Sequence, residues 1–311
     1  MTPGADGRTP SGTTARTVAQ AKVNLFLRIL AREASGYHQL ETLFCRLELG
    51  DQVTVRTGVS GRSLDCTGDV IPPNGLGAVE RNLAWRAATT YGEATGWPNA
   101  WAIEIEKHIP VGGGLGGGSA DAGAVLRCLN ALAPTPLPND ALLDLAAPLG
   151  ADVPFLTIDA PLALGWGRGE RLLALSPLPG RDVALVCFPF GVPTGDAYRW
   201  LDDERHGATP QAAAFDVGTF ESWDSVARLA HNDFETVVPS RFPEIASALT
   251  ALQSRAEQLG SSAITLMSGS GATVFVVSDA LPLVMSAAHG LPWRDVHTRT
   301  AMRVVAVEVS G

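Results

Sequence analysis

The stretch Pro110-Val-Gly-Gly-Gly-Leu-Gly-Gly-Gly-Ser119 joins two segments of different periodicity. Before it, apolar residues alternate over residues 101–107, which predicts a strand. After it, apolar residues recur at helical spacing as far as Leu132, with Ser119 expected as the N-cap. Because glycine lacks a Cβ and reaches positive φ, several N–H groups of such a loop can point at one anion, and the helix dipole adds to the attraction. The sequence therefore predicts a phosphate-binding loop.

Lysine is used very sparingly in this chain. Only two of the 23 basic side chains are lysines, Lys22 and Lys107, and both lie beside motifs. A compact ammonium on a flexible stem can work where a wide, planar guanidinium cannot. We therefore expect both lysines to have specific tasks.

The composition excludes several classes of function. A length of 311 residues with 46% hydrophobic residues allows one large or two medium domains. A formal charge of −9 and the lack of a basic patch argue against a nucleic-acid partner. Four separated cysteines without a CxxC pair indicate free thiols in a reducing cytosol, and no apolar run approaches the ~20 residues that span a bilayer. We expect a cytoplasmic protein with no membrane partner, preceded by a disordered tail over residues 1–17.

The first half of the chain shows clear periodicity. Residues 19–30 alternate as a half-buried strand, with Lys22 and Asn24 on its polar face. Proline is expected to restrict Val153 to extended geometry and to hold Asp152 on a tight bend after Gly150. Further elements are predicted as a strand over 52–56, helices over 82–91, 140–149 and 244–259, and strands over 183–188, 263–267 and 272–277. The last two strands are joined by Ser268-Gly-Ser-Gly271, a second glycine turn.

Two common phosphate-binding motifs can be tested against the glycine loop. The Walker A motif needs a lysine inside the loop, and none is present. Gly112, Gly114 and Gly117 satisfy the GxGxxG spacing of dinucleotide-binding proteins, but the nearest downstream acids, Asp140 and Asp144, fall in a predicted helix instead of at a strand end. The favoured class is a nucleotide-dependent phosphotransferase, and an NAD-dependent dehydrogenase is the alternative from another class.

Four more segments extend the pattern, namely Ala21-Lys-Val-Asn-Leu-Phe-Leu27, Gly36-Tyr-His38, Gly150-Ala-Asp-Val-Pro-Phe155 and Met267-Ser-Gly-Ser-Gly-Ala272. With the glycine loop, their order resembles the GHMP kinase superfamily. Within it, the chain is most similar to the kinases that act on a cytidine-diphosphate-linked erythritol in the non-mevalonate route to isoprenoids. The resemblance covers nearly everything from Ala19 to about Val309. It departs at Ala120, where a second serine is usual, and at Glu33-Ala-Ser35, where Arg-Pro-Asp is usual.

The resemblance implies a two-domain α+β fold. Residues 18–160 would form the ATP-binding α/β domain and residues 161–311 the C-terminal α+β substrate domain, with a last strand near residues 303–309 returning to the first domain. ATP would be the co-substrate, accompanied by Mg²⁺ because metal neutralises the β and γ oxygens. The partner would be the small-molecule substrate, and the protein a monomer or a weak homodimer.

The resemblance also implies the catalytic residues. Asp152 would act as the base that removes the proton of the acceptor hydroxyl, and its alternative is a helix N-cap or loop cap. Lys22 would hold the hydroxyl or carboxylate and stabilise the developing negative charge, and its alternative is a solvated strand-edge lysine. Asn24 would bind substrate or order Lys22, although a polar residue on a strand face needs neither task.

The remaining site residues are implied in two groups. Tyr37 and His38 would recognise cytosine, with Tyr198 as the second aromatic, and Thr194, Gly269 and Ser270 would complete the substrate side. Without the resemblance, they are a turn tyrosine, a surface histidine, a helix residue and a hairpin turn. The ATP side would consist of Asn82, Lys107, Pro110, Gly112, Gly113, Gly114, Leu115, Gly116, Gly117, Gly118 and Ser119. The alternative for Lys107 is a strand-end charge. The metal ligands are not identified, and Ser119 and Asp121 are weak candidates.

Three rival functions stay open at this point. The nearest is another kinase of the same superfamily, of the homoserine or mevalonate type, and Gly36-Tyr-His38 argues against it. The dehydrogenase is more remote. A nucleotide-binding regulator without activity is the third, and the retention of both Lys22 and Asp152 speaks against it.

Overall fold

The computed structural model describes residues 12–208, 210–212, 214–259, 262–279 and 294–311. The strands are β1 (Thr14–Arg32), β2 (His38–Thr57), β3 (Arg62–Thr67), β4 (Trp101–Glu106), β5 (Leu162–Gly167), β6 (Arg171–Leu175), β7 (Asp182–Cys187), β8 (His231–Asn232), β9 (Ile264–Met267), β10 (Val274–Ser278), β11 (Arg294–Arg299) and β12 (Glu308–Ser310). The helices are α1 (Leu83–Thr95), α2 (Gly117–Leu132), α3 (Asn139–Ala146), α4 (Val153–Thr157), α5 (Thr194–Arg205), α6 (Trp223–Leu229) and α7 (Pro243–Leu259).

The first sheet is built on the long antiparallel pair β1 and β2. The second half of β2 pairs with β4, and its first half pairs with β5, so β2 connects two arms of the sheet. β4, which leads into the glycine loop, runs antiparallel to β2 and parallel to β3. A dinucleotide-binding fold places this loop in a mainly parallel sheet, so the sheet order argues against the dehydrogenase.

Two register shifts interrupt the pairing of β1 with β2 around Lys22 and Asn24. One lies between Gln20 and Lys22, and the other lies between Asn24 and Phe26. β-Bulges re-aim side chains and bend the strand. Here the bulged stretch turns from β2 toward the glycine loop, where the N–H of Lys22 donates to the carbonyl of Leu115 at 2.9 Å.

The second sheet has the order β11-β7-β10-β9, and its strands are all antiparallel. One apolar cluster joins the first sheet to α1 and α2, with Trp101, Tyr91 and Leu126 fully buried. A second cluster packs α5 and α7 against β9 and β10. The cleft of the candidate site lies where these two apolar clusters meet along β1.

The glycine loop and α2 differ from the prediction at their junction. The predicted N-cap, Ser119, lies inside the first turn of α2, because Gly116 is the N-cap with φ at 74°. The N–H of Ala120 donates to the carbonyl of Gly116 at 2.8 Å. Only glycine reaches this left-handed φ at little cost, so the helix begins three residues earlier than a cap at Ser119 would place it.

The segment after Gly150 also corrects the prediction. Val153 is helical instead of extended, because α4 begins at this residue and Pro154 stands in the first turn, where a missing N–H costs nothing. The N–H of Val153 donates to the carbonyl of Gly150 at 3.1 Å. Asp152 therefore lies at the N-terminus of a short helix.

The two ends of the chain meet at the edge of the first sheet. β1 begins at Thr14, so the predicted tail over residues 1–17 is too long, and its first eleven residues lie outside the described part of the chain. β12 pairs with β1 through Thr14, Ala15 and Arg16. β5 and β6 lie beyond residue 160 and belong to the first sheet. The division into domains at residues 160 and 161 stays a prediction.

Candidate active site

A cleft of about 630 Å³ lies between the glycine loop, the N-terminus of α4 and the second glycine turn. Every predicted ATP-side residue lines it, together with Lys22, Asn24, Asp152, Thr194, Tyr198, Gly269 and Ser270. Tyr37 and His38 are the two predicted site residues that are not among the described lining residues. Such a volume suits a small-molecule site.

The glycine loop is fastened to the second glycine turn. The hydroxyl of Ser268 donates to the carbonyl of Gly114 at 2.9 Å, and the N–H of Thr273 donates to the carbonyl of Gly113 at 3.1 Å. Gly114 has φ at 80°, and an ideal Cβ there would lie 2.1 Å from the carbonyl oxygen of Ser268. A side chain at this position is therefore incompatible with the docking of the two turns.

Lys22 is held by a chain of hydrogen bonds along the two central strands. Its Nζ donates to Oδ1 of Asn24 at 2.8 Å, and Nδ2 of Asn24 donates to Oγ1 of Thr42 at 2.8 Å. The hydroxyl of Thr42 in turn donates to the carbonyl of Phe26 at 2.8 Å. Because each donor and acceptor is assigned, the amide of Asn24 must present its oxygen to Lys22.

Asp152 forms an ion pair with Lys22 at the floor of the cleft. Oδ2 of Asp152 lies 3.2 Å from Nζ of Lys22, with the side chains 29% and 3% exposed. Asp152 occupies the N-cap position of α4, but within the described residues its side chain makes no capping hydrogen bond. The carboxylate thus faces a buried ammonium on one side and the open cleft on the other.

Arg46 fixes the other end of α4. This buried guanidinium donates to the carbonyls of Phe155, Ile158 and Ala160 at 2.8, 3.0 and 3.1 Å. A cation at a helix C-terminus satisfies the last carbonyls and interacts well with the dipole. Burial lowers the pKa of Arg46 to about 9. The helix that carries Asp152 is therefore anchored at both ends.

Lys107 lies on the other flank of the glycine loop, in a buried cluster. Its Nζ pairs with Asp51 and, at 2.6 Å, with Asp121. Burial disfavours the charged ammonium, but the charges of Asp121 and Asp51 outweigh it and raise the pKa of Lys107. Burial also raises the pKa of Asp121 to about 7, against the opposing charge of Lys107. Oδ1 of Asp51 also accepts the N–H groups of His108 and Ile109 at 2.6 and 2.8 Å, which fixes the start of the loop.

The end of the cleft that was predicted to bind the substrate contains a different aromatic arrangement from the predicted one. His38 stacks on Tyr198 with ring centroids 4.6 Å apart, and its Nε2 lies 2.7 Å from Oδ1 of Asp202. Tyr37 is 60% exposed, and the guanidinium of Arg168 lies 4.3 Å from its ring centroid. Burial, and the charge of Asp152, raise the pKa of Tyr198 to about 12. The structure brings Tyr198 to the cleft and places Tyr37 beyond its rim.

Thr194 and Ser270 meet across the substrate side, with their hydroxyl oxygens 3.0 Å apart. Arg168 is also paired with Glu33, at the start of the segment that departs from the usual family pattern. This segment forms a turn, which the N–H of Gly36 closes by donating to the carbonyl of Glu33 at 2.9 Å.

The described residues contain neither a metal site nor a membrane-spanning helix. No three His, Cys, Asp or Glu side chains there are arranged to hold a metal ion. None of the helices in the same ranges has the length and apolar character needed to cross a membrane.

Sequence reasoning missed the residues that support the site. Thr42, Arg46 and Asp51 all lie on β2, and each acts through a partner far away in the chain. Their signal is weak, because a threonine, an arginine and an aspartate on a strand are ordinary. Only the pairing of β2 with β1, β4 and β5 places them beside the residues that they support.

The glycine loop beside a lysine–aspartate pair, on a mixed sheet docked to a second glycine turn, defines a small-molecule kinase of the GHMP class. A family model for the GHMP kinases N terminal domain matches residues 82–159. A homoserine kinase from Cytophaga hutchinsonii has the same fold, with a TM-score of 0.61 over 100% of both chains at 16% identity.

More similar proteins narrow the class. The chain is 43% identical to a 4-diphosphocytidyl-2-C-methyl-D-erythritol kinase from Anaeromyxobacter dehalogenans over 84% of this chain and 80% of that protein. A crystal structure of 4-(cytidine 5'-diphospho)-2C-methyl-D-erythritol kinase matches with a TM-score of 0.70 at 33% identity, over 91% of this chain and 98% of the other. The chain belongs to the 4-diphosphocytidyl-2-C-methyl-D-erythritol kinase family.

Proposed function

We propose that the chain transfers the γ-phosphoryl group of ATP to the 2-hydroxyl of 4-diphosphocytidyl-2-C-methyl-D-erythritol, giving the 2-phosphate and ADP in the non-mevalonate route to isoprenoid precursors. The observation that carries this proposal is the Lys22–Asp152 pair, which opens into the cleft that the glycine loop lines. Membership of the family supplies the acceptor.

The chemistry follows from this pair. The acceptor hydroxyl binds at the cleft face of Asp152, and the carboxylate accepts its proton as the oxygen attacks the γ-phosphorus. Lys22 lies 3.2 Å from the carboxylate and stabilises the negative charge that develops on the transferred group. Asn24 keeps the ammonium in place through its 2.8 Å hydrogen bond. Catalysis here is chiefly positioning and charge stabilisation, as phosphoryl transfer requires.

ATP occupies the glycine-loop side. Gly112, Gly114 and Gly116 have φ at 79°, 80° and 74°, and left-handed residues alternating with others turn successive N–H groups toward one anion. The N-terminus of α2 adds its dipole. Asn82, which caps α1, and Lys107 are proposed for the adenine side.

Mg²⁺ fits this site as an ion that the nucleotide phosphates hold for the most part. Mg²⁺ binds such sites through few protein ligands and neutralises the β and γ oxygens. Two oxygens near the N-terminus of α2 suit it. The hydroxyl of Ser119 lines the cleft, and Oδ1 of Asp121 is buried and makes no hydrogen bond to any described residue. These two residues would hold the ion.

The cytosine is proposed to stack on Tyr198, which His38 supports from behind. Thr194, Gly269 and Ser270 line the same side of the cleft. Tyr37 is proposed to contact the base from the rim of the cleft, and more weakly than Tyr198 does. A cytoplasmic location and a monomeric or weakly dimeric state remain predictions.

The test is ADP release from Mg-ATP with 4-diphosphocytidyl-2-C-methyl-D-erythritol, beside homoserine and mevalonate as acceptor controls. We expect turnover with the cytidine compound alone. Turnover with a control instead would assign the chain to another substrate of the same superfamily. ADP release with none of the three would overturn the proposal.

A further inference from the structure

The second glycine turn comes very close to the lysine–aspartate pair. An ideal Cβ on Gly269 would lie 3.6 Å from Nζ of Lys22 and 3.8 Å from Oδ1 of Asn24. The peptide groups of this turn thus lie close to the side chains of Lys22 and Asn24. The orientation of these peptide groups matters. An N–H aimed at the cleft would attract a substrate oxygen that carries negative charge, and a carbonyl aimed there would repel it.

Asn232 determines this orientation. Its Nδ2 donates to the carbonyls of Met267 and Gly269 at 2.7 and 2.8 Å, and its Oδ1 accepts the N–H of Phe234 at 3.0 Å. The accepted N–H identifies Oδ1, so the amide cannot be flipped without losing all three bonds. The side chain is 1% exposed and is not among the described residues that line the cleft. It lies behind the turn.

The segment that contains Asn232 is itself tied to the catalytic strand. β8 pairs in parallel with β1, with Asn232 opposite Leu27. Oδ2 of Asp233 accepts the N–H of Ile29 at 2.6 Å, and Oε1 of Glu235 accepts the N–H of Met267 at 2.6 Å. Asn232 therefore connects the strand that carries Lys22 with the turn that covers it.

We propose that Asn232 is a positioning residue that aims the N–H of Ser270 at the acceptor substrate. The peptide between Gly269 and Ser270 is trans, so its C=O and N–H point in opposite directions. Asn232 holds the C=O on the buried side, and the N–H consequently points into the cleft that Gly269 and Ser270 line. This inference rests on the proposed function, because it assigns the N–H to the acceptor that the enzyme phosphorylates.

The test is Asn232→Asp, which keeps the size of the side chain and removes its donor. Asn130→Asp is the matched control. Asn130 accepts from Tyr91 and Leu137 at 2.9 and 2.7 Å and donates to the carbonyl of Leu137 at 3.0 Å, and it is not among the described cleft residues. Both variants lose the donating half of a bridging amide. Only one of them lies behind the turn.

For Asn232→Asp we expect kcat/KM for the acceptor to fall about tenfold to a hundredfold, with the acceptor KM raised, because small misplacements are this costly. The KM of Asn232→Asp for ATP should stay within about twofold of wild type. For Asn130→Asp, kcat/KM and KM for the acceptor should also stay within about twofold. A purely structural role would lower the amount of active enzyme and leave both KM values unchanged. That result, or equal effects of the two variants, would overturn the proposal.

A second measurement needs no variant. In the wild-type enzyme, adding the acceptor should slow hydrogen exchange at the amide of Ser270, and unchanged exchange on acceptor binding would refute the assigned direction of this N–H. If wild-type enzyme instead phosphorylates a different alcohol, the proposed function fails. The same two experiments with that alcohol still decide the role of Asn232.

Discussion

Lys22 and Lys107 approach the same glycine loop from opposite sides and meet very different surroundings. An ideal Cβ on Gly116 would lie 3.0 Å from Cγ of Lys22, and one on Gly117 would lie 3.6 Å from Nζ of Lys107. Lys22 pairs at 3.2 Å with a carboxylate whose side chain is 29% exposed. Lys107 pairs with two carboxylates that are both buried.

The difference separates a reacting group from a supporting one. A carboxylate with one face in the cleft can receive a proton from a bound alcohol, and its lysine remains beside the reaction. An ammonium between two buried carboxyl groups is already balanced by them, and its removal would leave both groups without a cation. Under the proposed function, Lys22 would take part in the chemistry, and Lys107 would chiefly hold the buried cluster on the adenine side of the loop.

The largest effect should come from Asp152→Ala. We expect kcat to fall about 10² to 10⁴-fold, because a positioned base contributes this much. The ATP-induced rise in Tm should persist, since the glycine loop is untouched. Turnover with the proposed acceptor and thermal shifts with ATP measure the two parts.

Asp182→Ala is the control for this variant. Asp182 is partly exposed on β7 and pairs with Arg299 at 2.6 Å, so it loses a comparable ion pair. Near-wild-type turnover is expected for this control. Normal turnover in Asp152→Ala would remove Asp152 as the base and with it the contrast between the two flanks.

The next effect concerns stability. Lys107→Met leaves Asp51 and Asp121 buried without their cation and should lower the free energy of unfolding by about 3 to 5 kcal/mol. Lys22→Met should cost less stability, because Asp152 reaches water, while it removes most of the turnover. Urea denaturation of both variants measures the difference. Equal losses of stability would show that the two lysines are equivalent supports.

The sequence foretold the elements with strong local periodicity and missed those that depend on distant partners. The predicted boundaries of β1, β4, α1 and α7 differ from the observed ones by a few residues at most, because the alternation or helical spacing of these elements is local. The helix at Val153 was missed. The preference of a residue before proline for extended geometry is local, whereas α4 is held at its far end by Arg46, which is distant in sequence. No local pattern indicates which of two lysines is buried between carboxylates.

The site itself was predictable only through its motifs. The glycine loop and Ser268-Gly-Ser-Gly271 are local signals, and the resemblance supplied Asp152 and Tyr198. Thr42 and Asp51 were not found, because their contacts depend on how β2 pairs with β1 and β4. Asn232 was not found, because it connects β1 with a turn of the second sheet. Their side chains are ordinary in type, and only the folded chain gives them a task.

Asp121→Asn should raise stability relative to the wild type at neutral pH, whereas Lys107→Met lowers it. Burial raises the pKa of Asp121 from 3.8 to about 7, so the folded protein keeps a proton that the unfolded chain has released. The wild type should therefore lose stability as pH rises from about 4 to 7, by at most about 1.4 kcal/mol for each pH unit, and the loss should level off above 7. Lys107 stays charged throughout, since its pKa is raised above 10.5.

Urea denaturation of wild type and Asp121→Asn at several pH values measures this difference. The variant lacks the titrating group, so its free energy of unfolding should rise relative to that of the wild type between pH 4 and 7. At higher pH the difference between the two proteins should stay constant. Parallel curves from pH 4 to 7 would mean that Asp121 is ionised throughout, and the buried cluster would then resemble the Lys22 flank more closely.

The smallest effect should come from the aromatic rings at the Lys22 end of the cleft. Tyr198→Ala should raise the acceptor KM by the equivalent of about 1 to 3 kcal/mol, because a base loses its stacking surface. The ATP KM should not change, since ATP is assigned to the Lys107 flank. Tyr37→Ala should have a weaker effect, because Arg168 already covers one face of that ring and Tyr37 lies outside the cleft.

Should Tyr37→Ala raise the acceptor KM more than Tyr198→Ala, the turn that carries Tyr37 must close onto the substrate, and the cleft seen here would be its open form. A rise in the ATP KM with either variant would instead mean that the two flanks do not divide the two substrates between them.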